Sequence, residues 1–159
     1  MKYLKIVSIM MFTFLLGVTL KADFDSKGKE FWLSFMPNFH NNAESSDPDI
    51  RLGDSLYIFI NSEKPTTGKI TYVDRFGIIK SEDFSISNTD DIYTFKVSWY
   101  DYEIWGYNFH GKAWSNYQSD MAAPQSFHIV TEEEVTVYAH SQAVTTSDAF
   151  LVLPADVLG

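Results

Sequence analysis

The chain is predicted to be all-β, an antiparallel β-sandwich, and three observations carry that prediction. Strand-like runs recur roughly every ten to fifteen residues, separated by turn residues. No segment sustains the 3.6-residue apolar period of an amphipathic helix. Aromatic residues reach 16%, and these side chains suit pleated, half-buried surfaces better than helices. At 159 residues and 45% hydrophobic content, the chain can build one domain with a real core. It has no cysteine, so burial rather than disulfides must hold it.

The elements follow in order. Residues 30–36 form the first strand candidate, and the Pro- and Asn-containing stretch 37–54 reads as a long polar loop. Residues 55–60 are continuously apolar and β-rich, as in a strand covered on both faces. Pro65 and Gly68 mark 61–68 as a turn before a strand at 69–73. Asp74-Arg75-Phe76-Gly77 is a further turn, and 84–87 a short strand. Over 92–99, Tyr93, Phe95, Val97 and Trp99 alternate with Thr94, Lys96 and Ser98, the pattern of a half-buried strand. Then come a strand at 127–131, an acidic turn at Glu132-Glu133-Glu134, and a strand at 135–140. A polar bend leads to a final apolar strand, which Pro154 stops. The expected core takes Trp32, Leu56, Ile58, Ile60, Phe95, Val97, Val135, Val137 and Leu151 from two facing sheets.

The first 22 residues stand apart. Lys2 and Lys5 precede an apolar run over 6–20, and Ala22 supplies a small residue for cleavage. This is the order of a secretory signal peptide, with a domain at 23–159. The run falls short of the roughly 20 residues that a membrane span needs. A retained anchor is the alternative, and the absence of cysteine excludes a lipoprotein. Removing three lysines from 12 Lys and Arg leaves nine, against 21 acids, a net charge near −12. Such a surface repels nucleic-acid phosphates and disfavours anionic lipid, so neither a nucleic-acid partner nor membrane insertion after leader removal is expected. Export to the cell surface or medium is.

Particular phrases go further than periodicity. Gly28-Lys29-Glu30-Phe31-Trp32-Leu33-Ser34-Phe35 opens the domain. Val135-Thr136-Val137-Tyr138-Ala139 and Ser147-Asp148-Ala149-Phe150-Leu151-Val152-Leu153-Pro154-Ala155-Asp156-Val157-Leu158-Gly159 close it. Together with 56–60 and the run Thr67-Gly68-Lys69-Ile70-Thr71-Tyr72-Val73, they resemble the IgGFc-binding-protein N-terminal domain, a family of secreted β modules. The resemblance spans most of 28–159, with 99–124 fitting poorly. It implies a hairpin near 56–73, and further sequence and domains beyond Gly159, so that on this resemblance the chain is expected to be a fragment. It names no ligand, and antibody binding does not follow from it.

Catalytic signatures are scarce. There is no Gly-x-Ser-x-Gly elbow, phosphate loop or cysteine nucleophile. His140, Ser141 and Asp148 supply triad residue types, but a triad is geometry, and a solvent-facing strand-end His140 is the simpler reading. His40, His110, His128 and His140 lack zinc spacing, although His128 and His140 could face each other across the acidic turn. Asp47, Asp49 and Asp54 read as a solvated loop rather than a calcium site. No metal or cofactor is therefore expected.

The unusual stretch is 99–117, which holds three of the four tryptophans. Trp99, Tyr102, Trp105, Tyr107, Trp114 and Tyr117 interleave with acids and amides, as in a platform for a glycan or a protein hot spot. The competing reading has Trp99 and Trp105 plug the end of the sandwich. The sequence thus points to a secreted or surface-attached, non-catalytic binding or adhesion module for glycan or protein. A spacer within a larger envelope protein and an accessory domain of a secreted hydrolase stand as alternatives.

Overall fold

A computed structural model describes residues 26–38, 54–104, 123–143 and 146–158. The element order is β1 (Lys27–Leu33), β2 (Ser55–Ser62), β3 (Thr66–Val73), β4 (Ile79–Ile86), β5 (Ile92–Ser98), α1 (Trp99–Tyr102), β6 (Ser126–Gln142) and β7 (Ser147–Val152). A 3-10 turn at Ala155–Val157 follows. Strands take 65% of the described residues and helix 7%, so the fold is all-β. Among the described residues, all strands belong to one antiparallel sheet, ordered β4-β3-β6-β2-β5, with β1 and β7 also on β6.

One long strand makes that sheet double back. β6 runs unbroken for 17 residues. β2 pairs with it from Gln142 to Val135, and β3 takes over from Thr131 to Ser126. β2 and β3 therefore run one after the other in the same direction along β6. The expected hairpin near 56–73 is instead a corner, with a break at 63–65.

The other side of the corner is a bulge in β6. Gly28 faces Val135 and Glu30 faces Val130, so Lys29 alone opposes residues 131–134. Extra residues on one strand bend it and increase its twist, the usual way for a strand to pass between packed layers. The acidic triplet thus lies in a bulge rather than a hairpin turn. Its backbone is well held: Lys29 Nζ donates to Glu132 O at 2.6 Å, Thr131 Oγ1 to Glu133 O at 2.8 Å, and Glu133 N–H to Thr66 Oγ1 at 3.0 Å. His128 and His140 consequently sit on one strand and do not face each other.

Folding at the corner creates the sandwich. One layer is β4, β3, the first half of β6 and β1; the other is β5, β2, the second half of β6 and β7. Aromatic rings bridge the layers: Tyr72 meets Phe95 at 5.1 Å, and Phe84 stacks on Tyr93 at 4.5 Å. Gly28 closes a flank, since a Cβ there would lie 2.3 Å from Pro154 Cβ.

Leu56, Ile58, Ile60, Phe95, Val135 and Val137 are buried as expected, and Val97 packs partly buried against them. Trp32 and Leu151 are not in the core. Phe31, Leu33 and Phe35 take the inward positions of β1 and its extension, which turns Trp32 outward; Val152 likewise displaces Leu151. β2 is not covered on both faces, because Tyr57 and Phe59 stay half-buried on its outer side. β4 begins at Ile79, well before the expected 84. α1 is a single turn capped by Ser98, whose Oγ accepts the Tyr100 N–H at 3.3 Å.

Candidate ligand-binding face

Period-2 alternation decides what the first layer shows to solvent. With Phe31, Leu33 and Phe127 turned in, Glu30, Trp32 and His128 must point out. The register completes the surface. Trp32 pairs with His128, which pairs with Thr71; Glu30 pairs with Val130, which pairs with Lys69, which pairs with Asp83.

Trp32 and His128 stack, their ring centroids 3.9 Å apart and 11° from parallel. Glu30 Oε1 ties both rings, accepting from Trp32 Nε1 at 3.3 Å and from His128 Nε2 at 2.9 Å. The His128 hydrogen bond first, and that of Trp32 second, hold the Glu30 carboxyl below its ordinary range. The imidazole covers one face of the indole. Trp32 is nevertheless 51% exposed, so its other face and rim are open to solvent. Three side chains on two strands thereby fix an aromatic plate in one orientation.

Beside the plate lies a shallow depression of about 660 Å³ over Gly68, with Val130, Lys69, Asp83, Ser85, Thr131 and Glu132 among its lining. Lys69 and Asp83 pair across it at 3.3 Å. The face thus combines an apolar plate, a carboxylate and a shallow groove of mixed polar and apolar lining. Its chemistry suits a ligand with flat apolar patches rimmed by hydroxyls.

Of the sequence-derived site residues, two fall among the described residues, and both lie elsewhere. Trp99 and Tyr102 are core residues, 1% and 5% exposed, and take the structural role of a plug rather than a place on a surface platform. Tyr102 packs edge-on against Tyr72 at 5.4 Å and donates no face to solvent. Trp105, Tyr107, Trp114 and Tyr117 lie outside the described residues. Trp32 and His128 were missed, although Phe31, Leu33 and Phe35 on alternate positions already direct Trp32 outward.

His140 and Ser141 face opposite sides of β6: His140 lies beside Tyr57 at 6.0 Å, while buried Ser141 accepts from Asn38 Nδ2 at 3.2 Å. Neighbours so arranged cannot act as base and nucleophile on one substrate. Among the described residues no group of three His, Cys, Asp or Glu could hold a metal ion, and no helix is long and apolar enough to cross a membrane.

No family model matches this chain, and no curated protein does. A solved structure titled "Crystal Structure of Thermotoga maritima 1070" is similar at 10% identity and a TM-score of 0.40, covering 79% of this chain and 92% of that one. A likeness of that size lends this chain neither fold nor function.

Proposed function

We propose that this chain is an exported, non-catalytic binding module whose ligand is a glycan held on the outer face of β1, β6 and β3. One observation carries the reading: the indole of Trp32, stacked on His128 and tied through Glu30, presents an open aromatic face beside a shallow depression that Lys69 and Asp83 help to line. A pyranose ring offers an apolar C–H face with hydroxyls around its rim. The plate would take the first, and Glu30, Lys69 and Asp83 the second. A preformed plate also limits the side-chain entropy that binding would otherwise cost. The apolar leader-like segment and the resemblance to the IgGFc-binding-protein N-terminal domain both support an exported module. The resemblance adds no ligand.

The test is a glycan array followed by titration with the best soluble hit. Trp32→Ala is expected to weaken binding by roughly 2 kcal/mol or more, the range of an interface hot spot. Unchanged affinity in Trp32→Ala would move the site elsewhere, and an array with no hit would count against a glycan altogether.

A further inference from the structure

A second surface, independent of the Trp32 face, lies at the β3–β4 turn. It shows three large apolar side chains in a row of four residues: Phe76 is 73% exposed, Ile78 54% and Ile79 69%. Exposed apolar residues are ordinary when scattered and informative when contiguous.

This turn is also built, with its backbone tied at each step. The Asp74 carboxylate, itself buried, accepts the N–H groups of Phe76 and Ile78 through Oδ1, each at 2.9 Å. Asp74 N–H donates to Ile78 O at 3.1 Å, and Gly77 N–H to Asp74 O at 2.9 Å. Gly77 supplies the positive φ of 78° that the turn requires. Arg75 is clamped from the side: its N–H donates to Asp101 O at 2.8 Å, and its guanidinium lies 4.3 Å from the Tyr100 ring. The rings and methyls are thus displayed from a fixed scaffold.

The charge around the tip is the opposite of the molecule's. Overall the chain carries a formal net charge of −9. Between 74 and 80 the one acid, Asp74, is buried, its Oδ1 holding backbone N–H groups and its Oδ2 3.9 Å from Lys80 Nζ, while Arg75 and Lys80 flank the apolar residues, so the cations still exceed the acid by one. Lys80 Nζ donates to the Tyr102 hydroxyl at 3.0 Å, which fixes it beside the tip. A convex apolar point with cations at its shoulders complements an anionic lipid surface: the point enters the acyl boundary and the cations meet the headgroups. The acidic remainder would be repelled, so only this end could approach.

We propose that the β3–β4 turn is a membrane-contacting tip, inserting Phe76, Ile78 and Ile79 into the interface of an anionic bilayer with Arg75 and Lys80 at headgroup level. The full chain contains no cysteine, so Ile78→Cys can carry a single environment-sensitive fluorophore, and Ser87→Cys, in the loop at the far end of β4, serves as the control. Vesicles of phosphatidylcholine with and without phosphatidylglycerol are the probes, and brominated lipids report depth. The apolar run at 6–20 is common to every variant, so differences between label positions read the tip. The expected result is a blue-shifted, several-fold brighter signal at position 78 with anionic vesicles, quenched by brominated lipid and absent at position 87. Adding Phe76→Ser and Ile79→Ser, both at exposed positions, should abolish it with the thermal melt unchanged. Equal signals at 78 and 87, or a signal that survives the double substitution, would overturn the proposal. So would a change at 78 that grows with protein concentration in the absence of vesicles, since the tip would then meet a second copy.

Discussion

At the scale of single residues, Trp32 and Trp99 make opposite predictions. Trp99 is enclosed with Tyr100 against its edge at 5.6 Å, so Trp99→Ala opens a cavity and should cost about 3–5 kcal/mol in chemical denaturation. Trp32 has an open face and covers little of the core. Trp32→Ala should leave the denaturation midpoint nearly unchanged while removing ligand affinity. Glu30 supplies a pH test. Its folded carboxyl titrates below the ordinary glutamate value because His128 and Trp32 hydrogen-bond its charged form. A depressed pKa means its contribution is complete above the unfolded value and lost as pH falls through the folded one. Carbon-detected NMR should place the Glu30 inflection below the ordinary value of about 4.3, and His128→Phe should raise it towards that value. An ordinary value in the wild type would remove the Glu30 tie from the account.

At the scale of elements, the corner decides the architecture. Thr66 Oγ1 receives Glu133 N–H, and Ser62 Oγ donates to Lys64 O at 2.6 Å, so the break in the β2–β3 line and the bulge in β6 are joined across the bend. Gly28 lies where β1 meets the tail of β7. Gly28→Val would drive its side chain into Pro154 and should destabilise by about 1–3 kcal/mol, the range for overpacking, measurable in the same denaturation series. Strand existence was legible along most of the described residues because alternation was clean, as at Tyr93, Phe95 and Val97. The corner was not. Glu132-Glu133-Glu134 reads as a turn because three adjacent acids cannot all face a core, and a bulge solves the same difficulty without reversing the chain. Trp32 was misread for a different reason: it was the largest apolar side chain in a run where Phe31, Leu33 and Phe35 had already claimed the inward positions. The aromatic stretch from Trp99 drew the site assignment by composition, whereas His128 and Trp32 are 96 positions apart and become neighbours only through the β1–β6 register.

At the scale of the whole molecule, three properties converge: an all-β sandwich folded from one sheet, an acidic surface, and an apolar leader-like segment. Export predicts that the protein recovered outside the cytoplasm begins close to Asp23; intact-mass measurement of that material checks it, and an intact Met1 in the membrane fraction would contradict it. The central claim is that the outer face around Trp32 is where ligand binds, and ligand-induced NMR shift mapping tests it most directly. With soluble mucin glycans added to isotope-labelled protein, the account predicts shifts concentrated at the Trp32 indole, Glu30, His128, Val130 and Lys69, with Trp99 and Tyr102 unmoved. Shifts confined to any other face, or none at saturating glycan, would contradict it.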